Sequence, residues 1–421
     1  MSHRAAMLPW SLEQRSRGSQ AETWDSLWWD GVAQFHPWRW ILADALRQGE
    51  LPLWSPWSFC GQPFAANGQS ACFYPPALLL CGLLPAGRAL GLLWLFHLAL
   101  AVFLTWGLAR RMGASHIGGL AAGVVYAGGG FLLAWAPVPS LLQSAAWLPG
   151  ALWAVEAALH RRPWEGATGI ALCLGMAVLA GHMQVAGYVG LTTAGWAAAR
   201  LLGRALRRKP WPVLPVAAGF ALALGLAAVQ GLPTVELGRL SPRGGEAPTA
   251  AGYKFAQILA LKPIHLLTFL WPTVLGSPAR GDALDPAFAE HFCGLGPVTC
   301  FLVLVAFAGK RDRHIYGMTV LALVALLVAL ATPLAALVYY GVPFLGLTAG
   351  FQRTLFVFCL AVAVLAGRGV MNLCEWPARG GKPHWGGAVG AIVLLGLMAQ
   401  GVWMTGSLLP LARAAELDRP V

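Results

Sequence analysis

Charge is what this sequence has least of. Only 11% of its 421 residues are Asp, Glu, Lys or Arg, against about 25% in an ordinary soluble domain. That shortage, with 57% hydrophobic residues, excludes a water-soluble globule and predicts an all-α polytopic membrane protein. Acids are scarcer than bases, 17 against 29, for a net charge of +12. The bases do not gather on one face, as a nucleic-acid binder requires. They sit in short clusters between apolar runs, so nucleic acid is not expected as a partner. The eight cysteines include no C-x-x-C pair and no His/Cys spacing suited to zinc. Most fall in apolar segments, where cysteine behaves as a small filler. Cys60 and Cys72 share one loop and could pair if that loop lies outside the cytoplasm. Residues 1–27 lack the apolar core of a signal peptide.

What is present is organised around Trp28 to Pro63, WWDGVAQFHPWRWILADALRQGELPLWSPWSFCGQP. This long run mixes carboxylates, arginines and clustered tryptophans ahead of any membrane-length apolar segment. Pro37 suits the first turn of a helix, and Gly49 with Pro52 suits its end. Trp38, Ile41, Leu42, Ala45 and Gly49 fall on one face. Arg39, Asp44, Arg47 and Gln48 fall mostly on another. A helix of about a dozen residues is too short to span, since a span needs about 20. Its pattern predicts a helix lying in the membrane interface.

The chain divides accordingly into a disordered 1–24, an external loop with the interfacial helix over 25–87, a helical bundle over 88–408 and an external tail over 409–421. Spans are expected near 88–109, 116–136, 141–159, 165–181, 184–203, 213–233, 293–309, 315–332, 353–369 and 386–408, about ten in all. Basic clusters occupy every second connection: Arg110 and Arg111; His160 to Arg162; Arg204 to Lys209; Lys310 to Arg313; and Arg368, Arg379 and Lys382. The positive-inside rule places all of them in the cytoplasm. The N-terminal loop, the Gly181–Gln184 hairpin, the 234–292 loop and the C-terminus are then outside a multi-pass cytoplasmic membrane protein. Pro333 to Ala349, with its prolines and glycines, reads as a broken or re-entrant helix, because a full span there would reverse the later clusters. An outside amino terminus with no span before it is hard to insert, so a first helix is expected upstream of residue 1.

The polar residues on the outer side are the candidates for chemistry. They are Asp25, Asp30, Gln34, His36, Arg39, Asp44, His182, Gln184, Glu236, Arg239, Arg243, Lys262, Glu290, His291 and Arg353. Asp30 lies between Trp29 and Gly31, where partial desolvation would raise its pKa and make it a better proton acceptor. The bland alternatives are a solvated loop carboxylate or a helix cap. Gln34, four residues on, shares its face. His36 reads first as a plain loop histidine. His182 and Gln184 sit in a tight hairpin, and Glu290 could simply cap a helix. Arg353 opens a span on the side where arginine is disfavoured; a phosphate would suit its guanidinium, while snorkelling is the simpler reading.

The order of DGVAQFHPW, GELPLWSPWSFCGQPFAAN, YPP, AGHMQ, TVELGRLSPRG, LTFLWPTVLG, EHFCGLGPVT and FQRTLFVF over residues 28 to 370 resembles the YfhO-like bacterial membrane proteins. These are similar in turn to the GT-C glycosyltransferases. The resemblance implies transfer of a sugar from a polyprenyl-phosphate carrier to a cell-envelope glycopolymer or lipid acceptor at the outer face. It implies Asp30 as the catalytic base, Arg353 with Arg239 or Lys262 on the departing phosphate, and His182 and Gln184 along the substrate pocket. Gln34, His36, Arg39 and Glu290 complete the substrate-binding set. No cofactor is expected. A divalent metal is compatible with the resemblance, but no ligand pattern in the residues asks for one. The resemblance also implies a span before the aspartate loop and a longer chain. The alternatives are a transporter or flippase of envelope precursors and a non-catalytic truncated homologue.

Overall fold

A computed structural model describes residues 29–375, except positions 59, 161, 241–247, 277–282, 286, 343–344 and 346–349. The expected disordered segment, the last span at 386–408, the external tail, Asp25 and Arg243 therefore lie outside the described residues. No β-strand forms among the described residues; one isolated bridge joins Ser55 and Gln62.

The organising stretch is helical from its first described residues. A π-helical turn, Gly31–Phe35, runs directly into α1 (His36–Arg47). Proline opens α1 as expected, and Gly49 closes it with φ at 75°, a backbone that glycine adopts without strain. The loop after it folds back through a short 3-10 turn, Gly68–Ser70, into α2 (Pro75–Leu83). Trp40, Trp54 and Trp57 stay at least half exposed, the amphipathic tryptophan display that suits a membrane interface.

The bundle follows: α3 (Ala86–Arg111), α4 (His116–Ala127), α5 (Gly130–Ala134), α6 (Pro139–Ala145), α7 (Leu148–Ala158), α8 (Pro163–Leu179), α9 (Met183–Ala205) and α10 (Val213–Leu240). After the outer connection, with α11 (Ala250–Ile258) and α12 (Leu267–Leu270), come α13 (Phe288–His291), α14 (Pro297–Ala308), α15 (Arg313–Ala329), α16 (Pro333–Gly341) and α17 (Leu355–Glu375). Packing runs from α10 through α8, α7, α3 and α4 to α17, which also packs on α14 and α15. The helix through Phe351–Glu375 is the axle, with 94% of its apolar window buried. It can be approached closely because glycine faces glycine: a Cβ at Gly118 of α4 would stand 2.4 Å from the Gly367 carbonyl oxygen. Small residues at such crossings are how membrane helices pack without a hydrophobic driving force.

Each expected span within the described residues meets a helix. Among the described residues four helices are long and apolar enough to cross a membrane, and five if the bent pair α15–α16 counts as one. The segment 141–159 breaks into α6 and α7, and α8 and α14 are shorter, with 17 and 12 residues. The run expected to be broken or re-entrant begins with a bend: α16 leaves α15 at 83°, and positions 343–344 and 346–349 of that run lie outside the described residues. Cys60 and Cys72 are both free thiols, one exposed and one buried, so the pairing allowed by their shared loop does not form.

The basic ends of the helices are tied rather than merely solvated. Arg200 of α9 grips Glu156 of α7 with Nε–Oε1 at 2.6 Å and Nη2–Oε2 at 2.8 Å. Trp196 Nε1 donates to the same carboxylate at 3.0 Å. Arg368 of α17 donates to Asp312 at 2.8 Å and to the Met112 carbonyl at 3.1 Å. Glu156 is fully buried, so removing it strands a guanidinium. Glu156→Ala is expected to lower unfolding stability by about 3–5 kcal/mol, read as a fall in thermal midpoint of the detergent-solubilised protein.

Candidate functional site

At the opposite ends of the same helices, the polar side chains converge on Arg353. It sits in the 3-10 turn Phe351–Thr354 that leads into α17. Its Nε stands 3.2 Å from each oxygen of Glu290, and its Nη2 stands 2.5 Å from Oε1. Nη1 donates to Gln184 Oε1 at 2.8 Å. The guanidinium lies over the Trp135 ring, 5.1 Å from its centroid, a stacking arginine favours. Gln352 donates to the other Glu290 oxygen at 2.8 Å. Gln184 Nε2 reaches the Gly350 carbonyl at 3.1 Å and the Tyr188 hydroxyl at 3.3 Å.

The Gly181–Gln184 hairpin is built for this position. Gly181 has φ at 101°, and a Cβ there would stand 2.3 Å from the Gly68 carbonyl oxygen. Only glycine lets α8 turn into α9 against the folded-back loop. His182 then caps α9, its Nδ1 accepting the Val185 N–H at 3.4 Å. Its ring meets the Trp135 ring edge-on at 6.4 Å.

Asp30 joins the same neighbourhood through the backbone. A Cβ on Gly31 would stand 2.5 Å from the Pro137 carbonyl oxygen, so the turn carrying Asp30 lies against the connection two residues beyond Trp135. Asp30 is helical and makes no cap with its side chain, which removes the loop and cap readings. Gln34 Nε2 donates to Asp30 Oδ1 at 2.7 Å. Burial pushes the Asp30 carboxyl above its ordinary value, and the Gln34 hydrogen bond only partly offsets that.

Three expected binding residues lie elsewhere. Arg39 is fully buried; it donates to the Ser70 carbonyl, and its Nε and Nη2 make no hydrogen bond among the described residues. The folded-back 68–70 turn covers Arg39, which the helical wheel assigned to a polar face. His36 is exposed and lies toward α3, 3.8 Å from where a Gly87 Cβ would be. Arg239 is exposed on the last turn of α10. The sequence reading missed Trp135 and Gln352. Gln352 adjoins Arg353 and could have been suspected; Trp135 is one of 20 tryptophans with no distinguishing local pattern.

Between α9 and α15 an apolar groove of about 590 Å³ starts at Tyr188 and Thr354, beside this cluster, and continues past Gly195 to Trp196 and Tyr316. Its walls are almost entirely hydrocarbon and aromatic.

No protein-family model matches the chain, and no curated protein matches it. Among solved structures it is similar to the archaeal oligosaccharyltransferase AglB from Archaeoglobus fulgidus, in complex with an inhibitory peptide and a dolichol-phosphate. The two are 13% identical, with a TM-score of 0.40 over 92% of this chain and 52% of that one. The chain spans about half the length of that structure.

Proposed function

We propose that this chain is a GT-C-like membrane glycosyltransferase that takes a sugar from a polyprenyl-phosphate carrier. The observation that carries the reading is proximity: the apolar groove is lined at one end by Thr354, next in the chain to Arg353, and by Tyr188, whose hydroxyl bonds the same Gln184 that Arg353 holds. A hydrocarbon groove beginning next to an arginine suits a lipid phosphate. The donor count also suits it. A guanidinium carries five N–H groups. Glu290 takes those of Nε and one on Nη2, and Gln184 takes one on Nη1. Among the described residues two N–H groups remain for an incoming phosphate.

In this reading Asp30 accepts the proton of the acceptor hydroxyl as that oxygen attacks the anomeric carbon. The bond from that carbon to the phosphate oxygen breaks, its electron pair leaves on the lipid phosphate, and configuration inverts. Arg353 stabilises the departing charge. His182, Gln184 and Trp135 line the sugar side. The site would face the outside of the cytoplasmic membrane, because the tied arginines at the other helix ends satisfy the positive-inside rule. An envelope glycopolymer or lipid is the acceptor class that the motif order suggests.

The test is transfer or hydrolysis of a radiolabelled polyprenyl-phosphate glucose by the purified protein. Gly195 lines the groove, and nothing lies within 4 Å of a Cβ placed there. Gly195→Trp should therefore fill the groove without disturbing the fold. Lipid binding should fall by at least about tenfold, the loss of about 1.4 kcal/mol, with an unchanged thermal midpoint. Lipid scrambling without any transfer would favour the flippase reading, and unaltered binding by the tryptophan variant would remove the groove from the mechanism.

A further inference from the structure

Asp285, His265 and His291 meet beside α13, and the mechanism above does not use them. Asp285 Oδ2 stands 2.6 Å from His291 Nδ1 and 3.3 Å from His265 Nε2. The two imidazoles stack with centroids 4.5 Å apart and planes 10° apart. Two histidines and a carboxylate within reach of one another are the makings of a metal site. The surrounding hydrogen bonds decide against one.

His265 Nδ1 accepts the Lys262 N–H at 3.0 Å. Its lone pair lies there, so Nε2 carries the proton that Asp285 accepts. Two ligand atoms on one tetrahedral zinc, each about 2.0–2.1 Å from it, stand about 3.3 Å apart. The 2.6 Å between Asp285 and His291 is instead the length of a charge-assisted hydrogen bond. Stacked, nearly parallel rings also cannot aim both in-plane lone pairs at one ion. On its other side His291 Nε2 donates to the Leu259 carbonyl at 2.9 Å. With that nitrogen protonated, a neutral ring would turn the Nδ1 lone pair onto a carboxylate oxygen. The contact needs a second proton on the ring.

We infer that His291 is an imidazolium clamped between Asp285 and the Leu259 carbonyl, and that this clamp positions Glu290 against Arg353. His291 and Glu290 share the four-residue α13; fixing one fixes the other. The groups facing His291 are Asp285 and the stacked His265, with Glu290 next in the chain and Arg353 beyond it. Burial alone would lower the His291 pKa. The bonds to Asp285 and Leu259, with the charges of Asp285 and Glu290, outweigh it, and the value lies above 6.5. Burial likewise opposes ionisation of Asp285, and the bonds from the two histidines hold it far below its ordinary value. A raised imidazole pKa stabilises the clamp below the ordinary value and loses it as pH rises through the folded one. Loss of the proton therefore loosens Glu290 and then Arg353. The consequence for phosphate binding rests on the function proposed above; the positioning itself does not.

The test is labelling of the full chain in detergent with phenylglyoxal, followed by peptide mass spectrometry. The exposed Arg239 serves as internal reference, cancelling the reagent's own pH dependence. Over about pH 5.5 to about pH 9, a range that brackets histidine titration, Arg353 labelling relative to Arg239 should rise about tenfold, the worth of one lost charged hydrogen bond. His291→Gln should label at the high level at every pH. His291→Lys, which keeps a cation on Asp285, should stay at the low level. A flat wild-type profile overturns the inference, as does equal labelling of the two variants. So does zinc or manganese copurifying at about one equivalent and lost in Asp285→Asn. The wild-type profile decides even if a variant fails to fold. Binding of farnesyl-phosphoryl-glucose, a diester whose charge is constant over this range, separates the two readings. No binding at any pH with the profile intact sinks the transferase alone; binding with a flat profile sinks the clamp alone.

Discussion

Arg353→Ala should abolish binding of a lipid-linked phosphate and lower stability, and adding Glu290→Ala should recover the stability without the binding. The Arg353 and Glu290 side chains are 21% and 13% exposed, so the pair is largely desolvated. Removing the cation strands a carboxylate that Gln352 alone still serves; breaking a buried pair in this way costs about 3–5 kcal/mol. Removing both charges avoids that penalty. Affinity should not follow stability, because the anion site would have lost its fork. Arg353→Lys is the finer probe. An ammonium is a point charge and cannot serve Glu290 and Gln184 while presenting further donors or lying flat on Trp135. Its affinity for the phosphodiester should fall by at least about tenfold, one such hydrogen bond's worth. Isothermal titration of the phosphodiester with thermal unfolding of the same samples checks all three. Wild-type affinity in the double variant would show that the phosphate binds elsewhere.

Arg353 stands out in the sequence by its oddity, an arginine opening a span at the wrong end, but its protein partner does not. Glu290 is 63 residues away, with α14, α15 and α16 in between, and nothing local in EHFCGLG announces the contact. Arg39 failed for the opposite reason. A helical wheel sorts residues by face but does not know what covers each face. The 68–70 turn, held down by Asn67 capping it and by close contact with Gly181, covers Arg39 and leaves Arg47 and Gln48 of the same side exposed. What was legible was whatever composition and punctuation dictate: helices throughout, bases at one set of ends, Gly49 as a stop and Pro333 as a bend. Hydropathy does not show that the run 141–159 is two short helices meeting just before Pro149, since it averages over a break that backbone chemistry imposes.

Asp30→Asn should reduce transfer by about 10²- to 10⁴-fold, the usual contribution of a general base, and leave the thermal midpoint unchanged or slightly higher. The sign follows from linkage. A carboxyl whose folded pKa is raised holds its proton more tightly when folded than when unfolded. Its ionised form at neutral pH therefore opposes folding, and a neutral amide of the same shape relieves that. The partial compensation comes from Gln34, whose donated bond at 2.7 Å lowers the pKa that burial raises. Gln34→Leu removes the donor, so the pKa should climb further. Since a base must be ionised to work, rate is lost as pH falls through the Asp30 pKa. The acid limb of the wild-type profile should then lie above the free-carboxylate value of about 3.9, and that of Gln34→Leu above it again, with a smaller change near neutrality. A purely structural Asp30 would show the reverse: lower stability in the asparagine variant and no movement of the limb with Gln34. A charge kept where it opposes folding, on a turn that packs against the connection after Trp135, is the pattern of a residue retained for chemistry. The pH–rate profiles of the three proteins decide whether it is.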